Sequence, residues 1–141
     1  MVSIWVTRLT RVGALMTVAA AAHAVDPLPE AMSGSLMFHG AGGYSFSLSL
    51  RVEKVQPDGA VEGKLTRSGQ RCGAKDEPFN GTYDGTTLKF ESLPRANVNT
   101  RVSGGTCNGT DAYVLKRSAD GKAFEGLMTS NYGTFGVHVA P

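Results

Sequence analysis

Apolar and polar side chains alternate along most of this chain with a period of two, the period of a β-strand that buries one face. Tyr44, Phe46, Leu48, Leu50 and Val52 interleave with Ser45, Ser47, Ser49, Arg51 and Glu53. The alternation returns at Val61/Gly63/Leu65, Leu88/Phe90, Tyr113/Leu115, Phe124/Gly126/Met128 and Phe135/Val137/Val139, and Leu36 with Phe38 marks one more strand near the start. No stretch has helical apolar spacing over three turns. The pattern predicts eight strands, at residues 33 to 39, 43 to 55, 60 to 67, 78 to 83, 86 to 92, 110 to 117, 122 to 130 and 134 to 140.

The turns between them are legible. Pro57-Asp58-Gly59, Asp84-Gly85 and Asp120-Gly121 each separate two strand-like runs, and Asp-Gly is a hairpin signal because both residues tolerate positive φ. Eight antiparallel strands in so short a chain predict an all-β fold, a small up-and-down β-barrel that leaves no exposed edges, with a two-sheet β-sandwich as the alternative. In a simple meander the connections alternate between the two ends, so all three Asp-Gly turns fall at one end. The other end receives Gly40-Ala41-Gly42-Gly43, residues 68 to 77, residues 93 to 109 and Asn131-Tyr132-Gly133. The stretch 93 to 109 is long for a compact domain. We read it as a loop, with Val98 to Val102 as the place for a ninth strand.

Composition changes the picture at the N-terminus. Residues 1–24 carry Arg8 and Arg11, the uncharged run Val12 to Ala22, and Ala22-His23-Ala24. That is the pattern of a secretory signal: a basic start, an apolar centre and a small-x-small cleavage site. The apolar run is about half the ~20 residues of a membrane-spanning helix. The expected organisation is a signal peptide at 1–24, a flexible N-terminal segment at 25–32 and a single barrel domain at 33–141, exported to the bacterial periplasm or beyond the cell.

Removing the signal leaves 117 of the 141 residues and takes away two of the 14 basic residues and none of the 12 acidic ones. The formal charge of +2 becomes zero, which removes the electrostatic case for nucleic acid. The two cysteines, Cys72 and Cys107, both follow the signal. In an exported protein such a pair predicts one disulfide, and closing a loop of 35 residues stabilises a fold by about 3 to 4 kcal/mol in the chain-entropy picture.

Candidate chemistry is sparse. The end away from the Asp-Gly turns collects Arg71, Lys75, Asp76, Glu77, Arg95 and Arg101, with Asn97, Asn99 and Tyr132 nearby. Arg and Tyr supply much of the energy at interfaces, so Arg71, Lys75, Arg95, Asn97, Asn99, Arg101 and Tyr132 form the candidate binding surface. The bland alternative is a solvated loop end. His39 and His138 fall on strands that barrel closure makes neighbours, both on the outer face. Two imidazoles without a third ligand do not make a zinc site, and no metal or other cofactor is expected.

No serine stands in G-x-S-x-G and no S-x-x-K is present, so no hydrolase motif is seen. Glu53, Glu62, Glu91 and Glu125 fall at outward strand positions, where they cannot converge as a glycosidase pair. Gly40-Ala41-Gly42-Gly43 precedes a strand, so it lacks the helix N-terminus that makes such loops hold phosphate. Asn80-Gly81-Thr82 and Asn108-Gly109-Thr110 match the glycosylation sequon and are read as turns. Gly63 and Gly126 leave local room inside the barrel, too little to define a pocket.

In strand order the chain is similar to avidin-like barrels, through Tyr113-Val114-Leu115-Lys116 followed by a hairpin to Phe124. The tryptophans of that family's biotin pocket are missing, Trp5 being the only one in the chain, so biotin binding is not implied. Small periplasmic inhibitors of cell-wall-degrading enzymes share the general size and architecture, a likeness of fold and location alone. The expected function is a non-enzymatic module that recognises a protein or cell-envelope component through its long-loop end. The alternatives are a carrier of a small apolar ligand inside the barrel, and a structural or antigenic envelope protein without a specific ligand.

Overall fold

A computed structural model describes residues 26–40, 45–68, 73–92, 101–102, 105–106, 110–130 and 133–141. Its strands are β1 (Ala31–Phe38), β2 (Ser45–Val55), β3 (Ala60–Ser68), β4 (Ala74–Tyr83), β5 (Thr87–Ser92), β6 (Arg101–Val102), β7 (Gly105–Thr106), β8 (Ala112–Arg117), β9 (Phe124–Ser130) and β10 (Gly133–Ala140). Eight of them close into an antiparallel barrel in the order β1-β10-β9-β8-β5-β4-β3-β2, while β6 and β7 pair only with each other. This is the up-and-down barrel that the alternation predicts, not a sandwich. Closure pairs Leu36 of β1 with Val137 of β10, which leaves no free edge.

Alternation explains the interior. The inward residues Leu36, Leu48, Leu65, Leu88, Leu115, Met128 and Val139 are each at most 1% exposed and belong to one continuous core. An eight-stranded barrel is just wide enough for side chains to fill, and aromatic rings do much of the filling: Phe90 stacks on Tyr113 at 4.4 Å, and Phe79 lies 4.6 Å from Phe90. The outward positions of β1, β2 and β3 carry Ser33, Ser35, Ser45, Ser47, Ser49, Lys64 and Ser68, and β5 and β9 present Lys89, Glu91 and Glu125. Met37, Val55, Val114 and Leu127 are also exposed, but the outer face is mostly polar, the reverse of a lipid-embedded barrel. No helix among the described residues is long and apolar enough to cross a membrane.

The three Asp-Gly turns lie together at one end, the base. Gly59, Gly85 and Gly121 have φ of 92°, 98° and 74°, the left-handed conformation that glycine adopts without strain. Residues 26–30, inside the segment expected to be flexible, lie across this base. Leu28 is buried in the core, the Glu30 carbonyl accepts the Val52 N–H at 2.8 Å, and Ala31 and Met32 already belong to β1.

Three expectations need correction. The first concerns residues 74–77, expected within an irregular link and found in β4. Pairing slips between Leu65/Glu77 and Arg67/Ala74, so β4 carries a bulge at this point, where Asp76 takes a φ of 50° and donates its N–H to Thr66 Oγ1 at 3.2 Å. The extra residue keeps the strand paired while its side-chain parity changes. The second concerns Asn80-Gly81-Thr82, which is not a turn: it pairs inside β4 with Glu91, Phe90 and Lys89 of β5. Gly81 is needed there because a Cβ would stand 1.9 Å from the Lys89 carbonyl oxygen. The third concerns the room expected at Gly63, which the Phe79 ring occupies, its nearest atom 2.5 Å from where a Cβ would be. Within the stretch 93 to 109, read as a loop, the described residues Arg101–Val102 and Gly105–Thr106 pair with each other and not with the barrel, and the others lie outside the described residues.

Candidate functional site

The two ends of the barrel are built differently. At the base, Arg117 of β8 ties the N-terminal strap to the barrel. Its guanidinium donates to the carbonyls of Asp26 and Pro27, both at 3.3 Å, to Gly121 at 3.1 Å and to the Tyr83 hydroxyl. It also stacks over the Phe124 ring at 4.8 Å, a contact that favours a partly desolvated cation. The Tyr83 hydroxyl lies 2.9 Å from the Asp26 carbonyl and 2.8 Å from that of Gly85. Beneath this network Leu28 joins the core.

The opposite end, the mouth, is the side from which the β1–β2, β3–β4, β5–β8 and β9–β10 links leave. Its inner wall has two halves. Four consecutive strands in barrel order, β3, β4, β5 and β8, bring the buried polar side chains Arg67, Glu77 and Ser92, with Asp111 just ahead of β8. The other half carries Phe46 and Phe135, both buried, and the half-buried Phe38. Phe135 lies 5.2 Å from Phe38 and 5.6 Å from Phe46, ring centre to ring centre.

Arg67 crosses the lumen. It is 4% exposed, and one guanidinium nitrogen donates to Asp111 Oδ2 at 2.7 Å and to the Tyr113 hydroxyl at 3.1 Å. The Asp111 N–H donates to Ser92 Oγ at 3.4 Å, and its carbonyl accepts the Ser92 N–H at 3.0 Å. Burial pushes the Asp111 carboxyl above its ordinary value, although the Arg67 charge beside it pulls the other way. Glu77 is 8% exposed, and among the described residues it has no hydrogen-bonding or ionic partner.

Of the sequence-predicted surface, Lys75 is exposed on β4 at the mouth end. Arg101 contributes its backbone to β6. Arg71, Arg95, Asn97, Asn99 and Tyr132 lie outside the described residues, as do Cys72 and Cys107, so no disulfide is seen. His39 and His138 are both exposed. His138 Nδ1 meets Glu125 Oε1 at 2.9 Å, and the His39 ring lies over Gly136. Among the described residues no three His, Cys, Asp or Glu side chains gather in a way that could hold a metal ion.

Three residues of the mouth carry a signal that sequence reading overlooked. Arg67 continues the inward series Val61, Gly63, Leu65; Ser92 continues Leu88, Phe90; and Asp111 precedes Tyr113, Leu115. A polar residue at an inward parity is the mark of a buried network. Glu77 carries the same mark, since it precedes Phe79 at the inward parity of β4; the bulge puts only Ala74 out of phase.

No family model matches the chain, and no curated protein and no solved structure matches it.

Proposed function

We propose that this chain is an exported, non-enzymatic β-barrel module that recognises another macromolecule, a protein or a cell-envelope component, at the mouth of the barrel. The observation that carries the reading is the contrast between the ends. The base has three tight turns and a strap sealed by Leu28, Tyr83 and Arg117. All four remaining inter-strand links leave from the mouth. Binding residues concentrate on loops carried by a rigid scaffold, and the longest link of the chain, between β5 and β8, leaves from the mouth.

Phe46, Leu48, Phe90 and Phe124 all lie in the core cluster, which favours recognition at the end of the barrel over carriage of an apolar ligand within it. The signal at residues 1–24 supports export. Cys72 and Cys107 fall in the β3–β4 and β5–β8 links, and a disulfide between them would clasp two mouth loops. The test is capture of a partner from the exported fraction by the mature chain and by Arg71→Ala, Arg95→Ala and Arg101→Ala. Weakened capture with an unchanged fold is expected; undiminished capture by all three overturns the proposal.

A further inference from the structure

Of the four large apolar side chains that stand exposed among the described residues, three share one row of the outer wall. Val114, Leu127 and Met37 are 45%, 47% and 59% exposed. Val114 of β8 stands opposite Leu127 of β9, Leu127 opposite Gly136 of β10, and Gly136 opposite Met37 of β1. Gly136 has no side chain of its own and lies under the His39 ring, so no residue of the row itself carries a charge. Apolar residues exposed singly need no explanation. A contiguous apolar strip with a polar border marks a contact surface.

The border says what the strip meets. One step toward the base runs a parallel row, with Lys116 opposite Glu125 and Glu125 opposite His138. Glu125 Oε1 is taken by His138 Nδ1 at 2.9 Å. Lys116 makes no ion pair among the described residues, although Glu125 is its direct neighbour across the strands.

A positive and a negative charge side by side in one row are complementary to the same row turned around. Rotating a second copy by a half-turn about an axis along the strands, between β8 and β9, sets the Lys116 of each copy against the Glu125 of the other. The same rotation seats Val114 on Leu127 twice and lays the strands of the two walls nearly parallel, as packed sheets prefer. It opposes no like charges on the flanking strand, since Lys89 comes over Gly136, Glu91 over Thr134 and Thr87 over His138.

We propose that the β8–β9 wall is the interface of a homodimer, with Val114 and Leu127 at its centre, Met37 at its margin and two reciprocal Lys116–Glu125 pairs fixing its register. Such an interface is isologous and closes at two copies. Because the axis follows the strands, both mouths point the same way. The dimer stands on the wall alone, so its test can fail without touching recognition at the mouth.

The test is sedimentation velocity of the full mature chain from about 10 μM to about 1 mM. A shift from monomer to dimer with concentration is expected, weakened about tenfold or more in Leu127→Lys, whose dispersed amide spectrum certifies its fold. Lys116→Glu and Glu125→Lys should each stay monomeric alone, because each sets like charges face to face, and an equimolar mixture of the two should dimerise. A monomer at every concentration, or undiminished dimerisation in Leu127→Lys, overturns the proposal. Single charge variants that dimerise like the wild type, or a mixture that stays monomeric, overturn the Lys116–Glu125 register.

Discussion

Arg67 and Asp111 meet at 2.7 Å across the lumen of the barrel, with β4 and β5 between the strands that bring them together. The pair is a strut between strands that are not hydrogen-bonded neighbours in the barrel. Removing one member of a buried ion pair strands the other, which costs about 3–5 kcal/mol. Asp111→Ala and Arg67→Ala should each lower stability by about that much in urea unfolding. The double replacement Arg67→Met with Asp111→Leu should cost far less than the sum of the two alanine variants. Additive losses would mean that the strut is not one unit.

The strap at the base contributes through Leu28. Truncating a core leucine costs about 2–5 kcal/mol, and Leu28 lies at the rim of the core, so Leu28→Ala should sit near the lower figure by thermal or urea unfolding. Amide hydrogen exchange should then speed up in Tyr83 and Val52, whose N–H groups bond to Gly59 and Glu30, while Leu48 and Leu65 stay protected. Unchanged exchange at Val52 would contradict the strap's role as a seal.

Eight strands in meander order were legible in the sequence, because one buried face per strand writes its period into the chain and Asp-Gly marks three of the turns; alternation alone left a sandwich as the alternative and missed the start of β4 at Ala74. Parity would also have placed Arg67, Glu77, Ser92 and Asp111 inside. Two features were hidden for physical reasons. The bulge at Asp76 puts Ala74 out of phase across a polar run, Lys75-Asp76-Glu77-Pro78, where no apolar residue reports the change. The strap at 26–30 has no period, since it is a crossing segment held by Leu28 and backbone carbonyls.

Packing at Gly63 predicts an overpacked variant. A Cβ there would stand 2.2 Å from the Arg51 carbonyl oxygen and 2.5 Å from the Phe79 ring. Backbone cannot yield as a side chain can, so Gly63→Ala should cost about 1–3 kcal/mol and shift the Phe79 and Phe90 ring resonances. A neutral outcome would mean that the barrel wall is looser than these contacts require.

Acid should act with opposite signs on the base turns and on the mouth strut. Asp84 is held below its ordinary value of 3.8, first by the N–H of Thr87 and then by that of Thr86; Asp120 is held down by the Ser118 hydroxyl and the Lys122 N–H. Their contributions are present above 3.8 and are lost as pH falls through their lower folded values. Asp111 has the opposite sign: its contribution is complete below 3.8 and is lost as pH rises through its raised folded value. Urea midpoints across the acid range should therefore fall less steeply with acid in Asp84→Asn and Asp120→Asn than in the wild type. In Asp111→Asn the fall should be steeper. The reverse order would contradict these assignments.

The most direct test of recognition at the mouth is site-specific photocrosslinking in the exported fraction. A photoreactive side chain is placed at Lys75 by the mouth, or at Asp58 or Lys122 in the base turns, all three exposed. Recognition at the mouth predicts a discrete crosslinked species from position 75 and none from 58 or 122. A partner crosslinked from the base turns and not from position 75 would contradict it.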